Sequence, residues 1–256
     1  MFARFFGLLQ REWRRDTKEF HLLTLSTILI IWFLPLLTRK VFIFSFYELV
    51  LGLLVFTAMF YVFLIPFLFA NSIRKETQQL DLWLHTEAPF WQLLFVKSIY
   101  YLLVTLVQVV LMVISTFICL AQLNVTSLTS FVPIIFFLSY KMFESVIFNL
   151  PFFALLLGIL LFFKRYIGRF SYLITIILFI LFMRFNVLLY DFTWYKNLMY
   201  TGDNLASWIP MPSNFVDGLY DVIHEFLYVR EIYFGIILFV LLLFISTYSL
   251  EKVLKR

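Results

Sequence analysis

SIYYLLVTLVQVVLMVISTFICLA, residues 98 to 121, decides the fold, because no charge interrupts it. A helix rises about 1.5 Å per residue, and about twenty apolar residues cross the roughly 30 Å hydrocarbon core of a bilayer. Five more stretches meet or approach that length, at about 21 to 38, 45 to 70, 142 to 163, 170 to 190 and 231 to 249. The first of them, LLTLSTILIIWFLPLL, is the shortest run and needs His21 and Thr38 to reach across. The apolar stretches 41–70 and 131–163 are longer, and their outer ends extend past the hydrocarbon.

Composition excludes the other classes. Hydrophobic residues make up 63% of the 256, charged residues 14%, and the mean hydropathy is +0.97. No water-soluble core hides that much apolar surface. With 35 Phe, 14 Tyr, 6 Trp and one cysteine, the chain is neither disordered nor a coiled coil nor a disulfide scaffold. An outer-membrane barrel would alternate in segments of about ten residues, and these runs do not. The expected fold is an all-α polytopic membrane protein with six transmembrane helices.

Six spans place both termini on one side. Lys and Arg number fourteen in the loops and ends of that side and four on the other. The positive-inside rule therefore predicts cytoplasmic termini and a multi-pass protein of the cytoplasmic membrane. The net charge of +5 follows this membrane pattern and does not imply nucleic acid. Residues 1–20 contain Glu12, Asp16 and Glu19 and lack the apolar core of a signal peptide, so the first span reads as an uncleaved anchor.

Within residues 1–20, helical spacing gathers Phe2, Phe5, Phe6, Leu9 and Trp13 on one arc, with Arg4, Arg11, Arg15 and Lys18 opposite. This predicts an interfacial helix on the anionic leaflet, the alternative being a basic tail. It stands as a unit of its own before a transmembrane domain of residues 21–256. Two segments of that domain are too long to be mere connectors. In the cytoplasmic one, 71–97, Leu80, Trp83 and Leu84, then Trp91 and Leu94, keep helical spacing around Asp81, His85 and Glu87, and Pro89 breaks the run. In the outer one, 191–230, Ser213 reads as the N-cap of an amphipathic helix bearing Phe215, Leu219, Val222 and Phe226.

Bond-making chemistry leaves no signature. The three histidines, His21, His85 and His224, fall in different segments and cannot share a metal within the bilayer. HExxH, GxSxG and the phosphate-binding GxxxxGK[ST] are all missing. Charges at membrane depth are functional candidates by default. Glu48 and Glu144 fall at the outer edge of the hydrocarbon, about 33 and 29 Å from the cytoplasmic ends of their spans. Lys141 can pair with Glu144 three residues on. Arg184, about 21 Å along its span, can snorkel outward, pair with Glu144 or Glu48, or contact a substrate.

The assembled layout resembles the permease subunit of bacterial type-2 ABC exporters. The likeness rests on the amphipathic start, six spans with both ends inside, the long cytoplasmic segment and the outer re-entrant element. Its most family-like stretch is RKETQQLDLWLHTEAPFWQLLFVKS, Arg74 to Ser98. The resemblance implies that Glu76, Leu80, Asp81, Trp83, Leu84, His85 and Glu87 belong to a coupling helix docking on a separate ATPase. ATP and Mg would then be bound by that partner, and this chain would carry no cofactor of its own. A second permease, identical or paralogous, would complete the pathway for an amphipathic or hydrophobic peptide, drug or lipid. The competing readings are a non-transport membrane scaffold or sensor and an intramembrane enzyme.

Overall fold

The computed structural model describes residues 2–38, 45–77, 89–123, 132–201, 203–204 and 228–254. Among them the backbone is helical, with no strand and a single β-bridge, Asn204 to Tyr228. The helices are α1 (Phe2–Ile28), α2 (Leu34–Thr38), α3 (Phe46–Thr77), α4 (Phe90–Gln122), α5 (Val132–Ile167), α6 (Ser171–Asp191), α7 (Thr193–Met199) and α8 (Val229–Leu254). Five stretches are long and apolar enough to cross a membrane: Phe5–Thr38, Phe46–Thr77, Phe90–Gln122, Ile135–Phe185 and Val229–Val253. The chain is thus an all-helical, multi-pass membrane protein. Its residues group into two compact units, Met1–Leu68 with Gln92–Asn149, and Phe69–Trp91 with Leu150–Arg256.

In the first unit α1 runs unbroken through residue 20, so the amphipathic start and the first span form one helix. The 34 residues from Phe5 to Thr38 extend about 51 Å, some 20 Å more than the hydrocarbon thickness. The one irregularity lies farther on. Leu29–Phe33 forms a π-helical turn in which the Leu34 N–H reaches back five residues to the Leu29 carbonyl. It immediately precedes Pro35, which has no N–H to give to Ile31, and a π-turn is one way a helix absorbs such a gap.

Pro66 raises the same problem inside α3. Its missing N–H frees the carbonyl four residues earlier, that of Val62. Asn149 Nδ2 of α5 donates to that carbonyl at 3.2 Å. A free carbonyl in hydrocarbon costs several kcal/mol, and a side chain from a neighbouring helix is a standard remedy. Asn149→Leu is therefore expected to cost about 1–2 kcal/mol. In a Pro66→Ala background, where the regained backbone N–H restores the intrahelical bond, the same change costs measurably less. Thermal unfolding in bicelles of the four proteins in this cycle checks it.

In the second unit, the part of α5 from Leu150 onward forms a hairpin with α6. The reversal centres on Gly168, whose φ of +56° favours glycine, and the Ser171 hydroxyl closes it on the Gly168 carbonyl at 2.8 Å. Phe152 stacks on Phe182 with 3.6 Å between ring centroids, and Phe153 meets Phe179 edge-on at 5.9 Å. Residues well before the turn thus meet residues well after it, which makes the two helices antiparallel. On α8, Ser246 Oγ donates to the Pro151 carbonyl at 2.7 Å. Gly158 lets α8 approach so closely that a Cβ there would lie 2.9 Å from Ser249 Oγ.

The amphipathic helix expected after Ser213 lies outside the described residues, as do Leu80, Asp81, Trp83, Leu84, His85 and Glu87, expected in a coupling helix. The described part of residues 191–230 includes α7, which buries Tyr195 and Met199 and exposes Trp194 and Leu198. Tyr195 packs edge-on against Phe234 of α8, and Arg230 donates to Thr201 Oγ1 at 2.7 Å.

Candidate functional site: a buried charge cluster on a parallel helix pair

Helix α1 turns a seam toward α4 that carries Glu12, Asp16, Leu23 and Thr27, all buried. The matching seam of α4 carries Lys97, Tyr101, Gln108 and Ser115. Both follow the alternating three- and four-residue spacing that keeps one helix face turned to a neighbour. The contacts between them keep an almost constant sequence offset: 12 with 97, 16 with 101, 24 with 108 and 32 with 115. A constant offset means that α1 and α4 run parallel. Helix α3 runs the other way between them, because Tyr61 meets Thr27 while Tyr101, paired with the earlier Asp16, meets the Leu68 carbonyl farther along α3.

Near the starts of this pair the charges converge. Lys97 is 1% exposed and Glu12 3%, and Lys97 Nζ donates to Glu12 Oε2 at 2.7 Å. Glu12 also accepts from Arg11 Nη2 at 3.1 Å and from Arg15. Arg15 forks onto Asp16 through Nε at 2.8 Å and Nη2 at 3.2 Å. The Tyr101 hydroxyl lies 3.3 Å from Asp16 Oδ2 and 3.2 Å from the Leu68 carbonyl, so its single proton is shared between α1 and α3. Tyr100 Oη has no hydrogen-bond partner among the described residues. With Asp16 and Glu19 it borders a cavity of about 10 Å³, close to the room one water molecule needs.

Farther along the seam the contacts are neutral. Gln108 Oε1 accepts from Thr27 Oγ1 at 2.8 Å, and Gln108 Nε2 donates to Thr24 Oγ1 at 3.1 Å. Tyr61 Oη lies within hydrogen-bond range of the same Thr27 hydroxyl. Beyond the start of the π-turn, Trp32 Nε1 donates to Ser115 Oγ at 3.2 Å. Polar seams of this kind hold membrane helices together where apolar burial gives no preference for protein over lipid.

The cluster is built to hold position. Burying each ion costs several kcal/mol, and only close, well-oriented counter-charges recover it. Lys97 on Glu12 and Tyr101 on Asp16 therefore fix both the rotation and the sliding position of α1 on α4, while Arg15 braces the two carboxylates from within α1. Among the described residues no group of three His, Cys, Asp or Glu could hold a metal ion.

The residues singled out in the sequence fall in several places. Phe5 is half-buried and meets Phe95 at 6.5 Å, and Trp13 meets Tyr100 edge-on at 5.9 Å. Phe6 is 63% exposed and Trp13 44%, so the aromatic arc straddles the protein and its surroundings. Arg11 and Arg15, expected on the polar face, belong to the cluster. Glu76 sits buried in the last turn of α3. Lys141 Nζ pairs with Glu144 Oε2 at 2.9 Å and lies over the Tyr140 ring.

Glu48 is the N3 residue of a capping box. The Ser45 N–H donates to Glu48 Oε2 at 2.7 Å, and the Glu48 N–H faces Ser45 Oγ at 3.4 Å. Arg184 is exposed. Snorkelling then predicts that Arg184→Lys keeps wild-type stability and expression while Arg184→Leu changes stability by no more than about 0.5 kcal/mol. A loss of several kcal/mol in both variants, read by thermal unfolding, would show that the guanidinium is held by a specific partner.

Glu12, Asp16, Lys97, Tyr101 and Gln108 were not among the candidates drawn from the sequence. For Glu12 and Asp16 the signal was present as carboxylates at 12, 16 and 19 continuing the spacing of Phe5, Leu9 and Leu23. The chain matches no protein-family model, no curated protein and no solved structure in the comparisons with known proteins.

Proposed function

We propose that the chain is the permease subunit of a bacterial type-2 ABC exporter, crossing the cytoplasmic membrane six times with both termini inside. In this reading the α5–α6 hairpin supplies two of the six crossings. A separate ATPase supplies ATP and Mg chemistry, two permeases enclose the pathway, and the cargo is an amphipathic or hydrophobic peptide, drug or lipid.

The observation that carries the reading is the buried Glu12–Lys97 pair. Lys97 stands in the second turn of α4, at the end of the segment 71–97 assigned to ATPase docking. A displacement of that segment enters α4 at its root, and the Lys97–Glu12 ion pair passes it to α1. ATP can shift a permease between states only through contacts whose energies differ between them, so a stiff link at that point is what coupling requires. The test is the native mass of the complex isolated from its own membranes through a tag on this chain. Two permeases with two ATPase subunits is the expected composition, and this chain without an ATP-binding partner contradicts it.

A further inference from the structure

An apolar cavity of about 210 Å³ opens among α3, α4 and α5 in the first unit, with Leu54, Ala58, Met112, Thr116, Leu138 and Met142 in its walls. Water does not suit it. A buried water needs two to four polar partners. The Thr116 hydroxyl, one of only two in the walls, is already directed to the Met112 carbonyl at 2.8 Å. An apolar cavity of about 150 Å³ stays dry and takes benzene, so this one has room for a somewhat larger apolar group.

Its mouth shows what that group is. Val55 and Leu138 line the cavity and are also 47% and 51% exposed. On the same helices as the cavity walls, Phe56 and Met59 of α3 and Val110 and Ile114 of α4 are exposed as well, and both helices are long and apolar enough to cross the bilayer. The cavity is therefore continuous with the lipid-facing belt, where hydrocarbon tails are the solvent. Met112 stands fifteen residues, about 22 Å, along α4 from Lys97, which places the cavity in the leaflet opposite the charge cluster.

We propose that this cavity binds the acyl chain of a bilayer lipid from that opposite leaflet. The inference rests on the membrane placement alone and not on the exporter reading, so either can fail without the other.

The test uses the full-length wild-type protein in nanodiscs containing phosphatidylcholine with a diazirine in mid-chain, with insertion sites mapped after illumination. Labelling at Met112, Met142 and Leu54 should exceed that at the exposed Val110 and Ile114 at least fivefold. Ala58→Phe, which fills the cavity, should abolish the excess while leaving belt labelling unchanged. Because the wild-type measurement stands alone, a poorly folding variant does not block the test. Labelling no higher in the cavity than on the belt overturns the proposal, as does an excess that survives in a folded Ala58→Phe protein. So does disulfide formation between two copies bearing Leu138→Cys, which would make the cavity a protein interface.

Discussion

Replacing Glu12 by Leu should cost about 3–5 kcal/mol of stability, and replacing Lys97 by Met a smaller amount, about 1–3 kcal/mol. The asymmetry follows from connectivity. Glu12 is the shared acceptor for Lys97, Arg15 and Arg11, so its loss leaves three cations around one fewer carboxylate, with Lys97 buried and the two arginines partly exposed. Without Lys97, Glu12 keeps both arginines. A buried pair exchanged as a whole for apolar residues is often tolerated, because the desolvation cost vanishes with the charges. The double variant Glu12→Leu with Lys97→Met should therefore be more stable than Glu12→Leu alone. Thermal unfolding in bicelles, as a double-mutant cycle, reads all three. Equal losses from the two single variants, or strict additivity in the double, would remove the shared-acceptor account.

The other large effect is functional. Asp81→Lys combined with Glu87→Lys should reduce ATPase co-purification and transport at least tenfold while expression and membrane insertion stay at wild-type levels. Moving a permease from 1:99 to 99:1 between its two states requires about 5.5 kcal/mol of differential interaction. In the exporter reading, a cytoplasmic helix with the apolar anchor Leu80, Trp83 and Leu84 and the polar contacts Asp81, His85 and Glu87 supplies it. The charge cluster of α1 and α4 is untouched by these substitutions, so folding should persist. Normal transport by the double variant at wild-type expression would sink the coupling assignment.

The long apolar helices were legible, though not the count of six crossings, because length and apolarity belong to one segment at a time. SIYYLLVTLVQVVLMVISTFICLA reads as a crossing with no knowledge of its neighbours. The reversal near residue 168 was legible too, since Lys164, Arg165 and Arg169 interrupt the apolar run and Gly168 sits among them.

The rotation of α1 was not legible. In water, an apolar arc points to the core. In a bilayer Phe6 and Trp13 can remain exposed to lipid while Glu12 and Asp16 turn inward, so the usual sign of amphipathicity fails. The inward arc differs from the aromatic one by only a few tens of degrees. What distinguishes them is Lys97, 85 residues away, a pairing that no local window contains. Glu48, placed by length at the outer edge of the hydrocarbon, has a local role that its near neighbours spell out. Ser45-Phe46-Tyr47-Glu48 is a capping signature, and the structure shows its two contacts.

The exporter reading requires that this chain be moved by ATP hydrolysed on another subunit. The most direct measurement is photolabelling with azido-ATP of the complex isolated through a tag on this chain, followed by assay of vanadate-sensitive hydrolysis. The label is expected to fall on a co-purifying partner, with hydrolysis accompanying it, and both should be lost with Asp81→Lys and Glu87→Lys. Label on this chain itself, or a pure preparation with no ATP-hydrolysing partner, would contradict the reading.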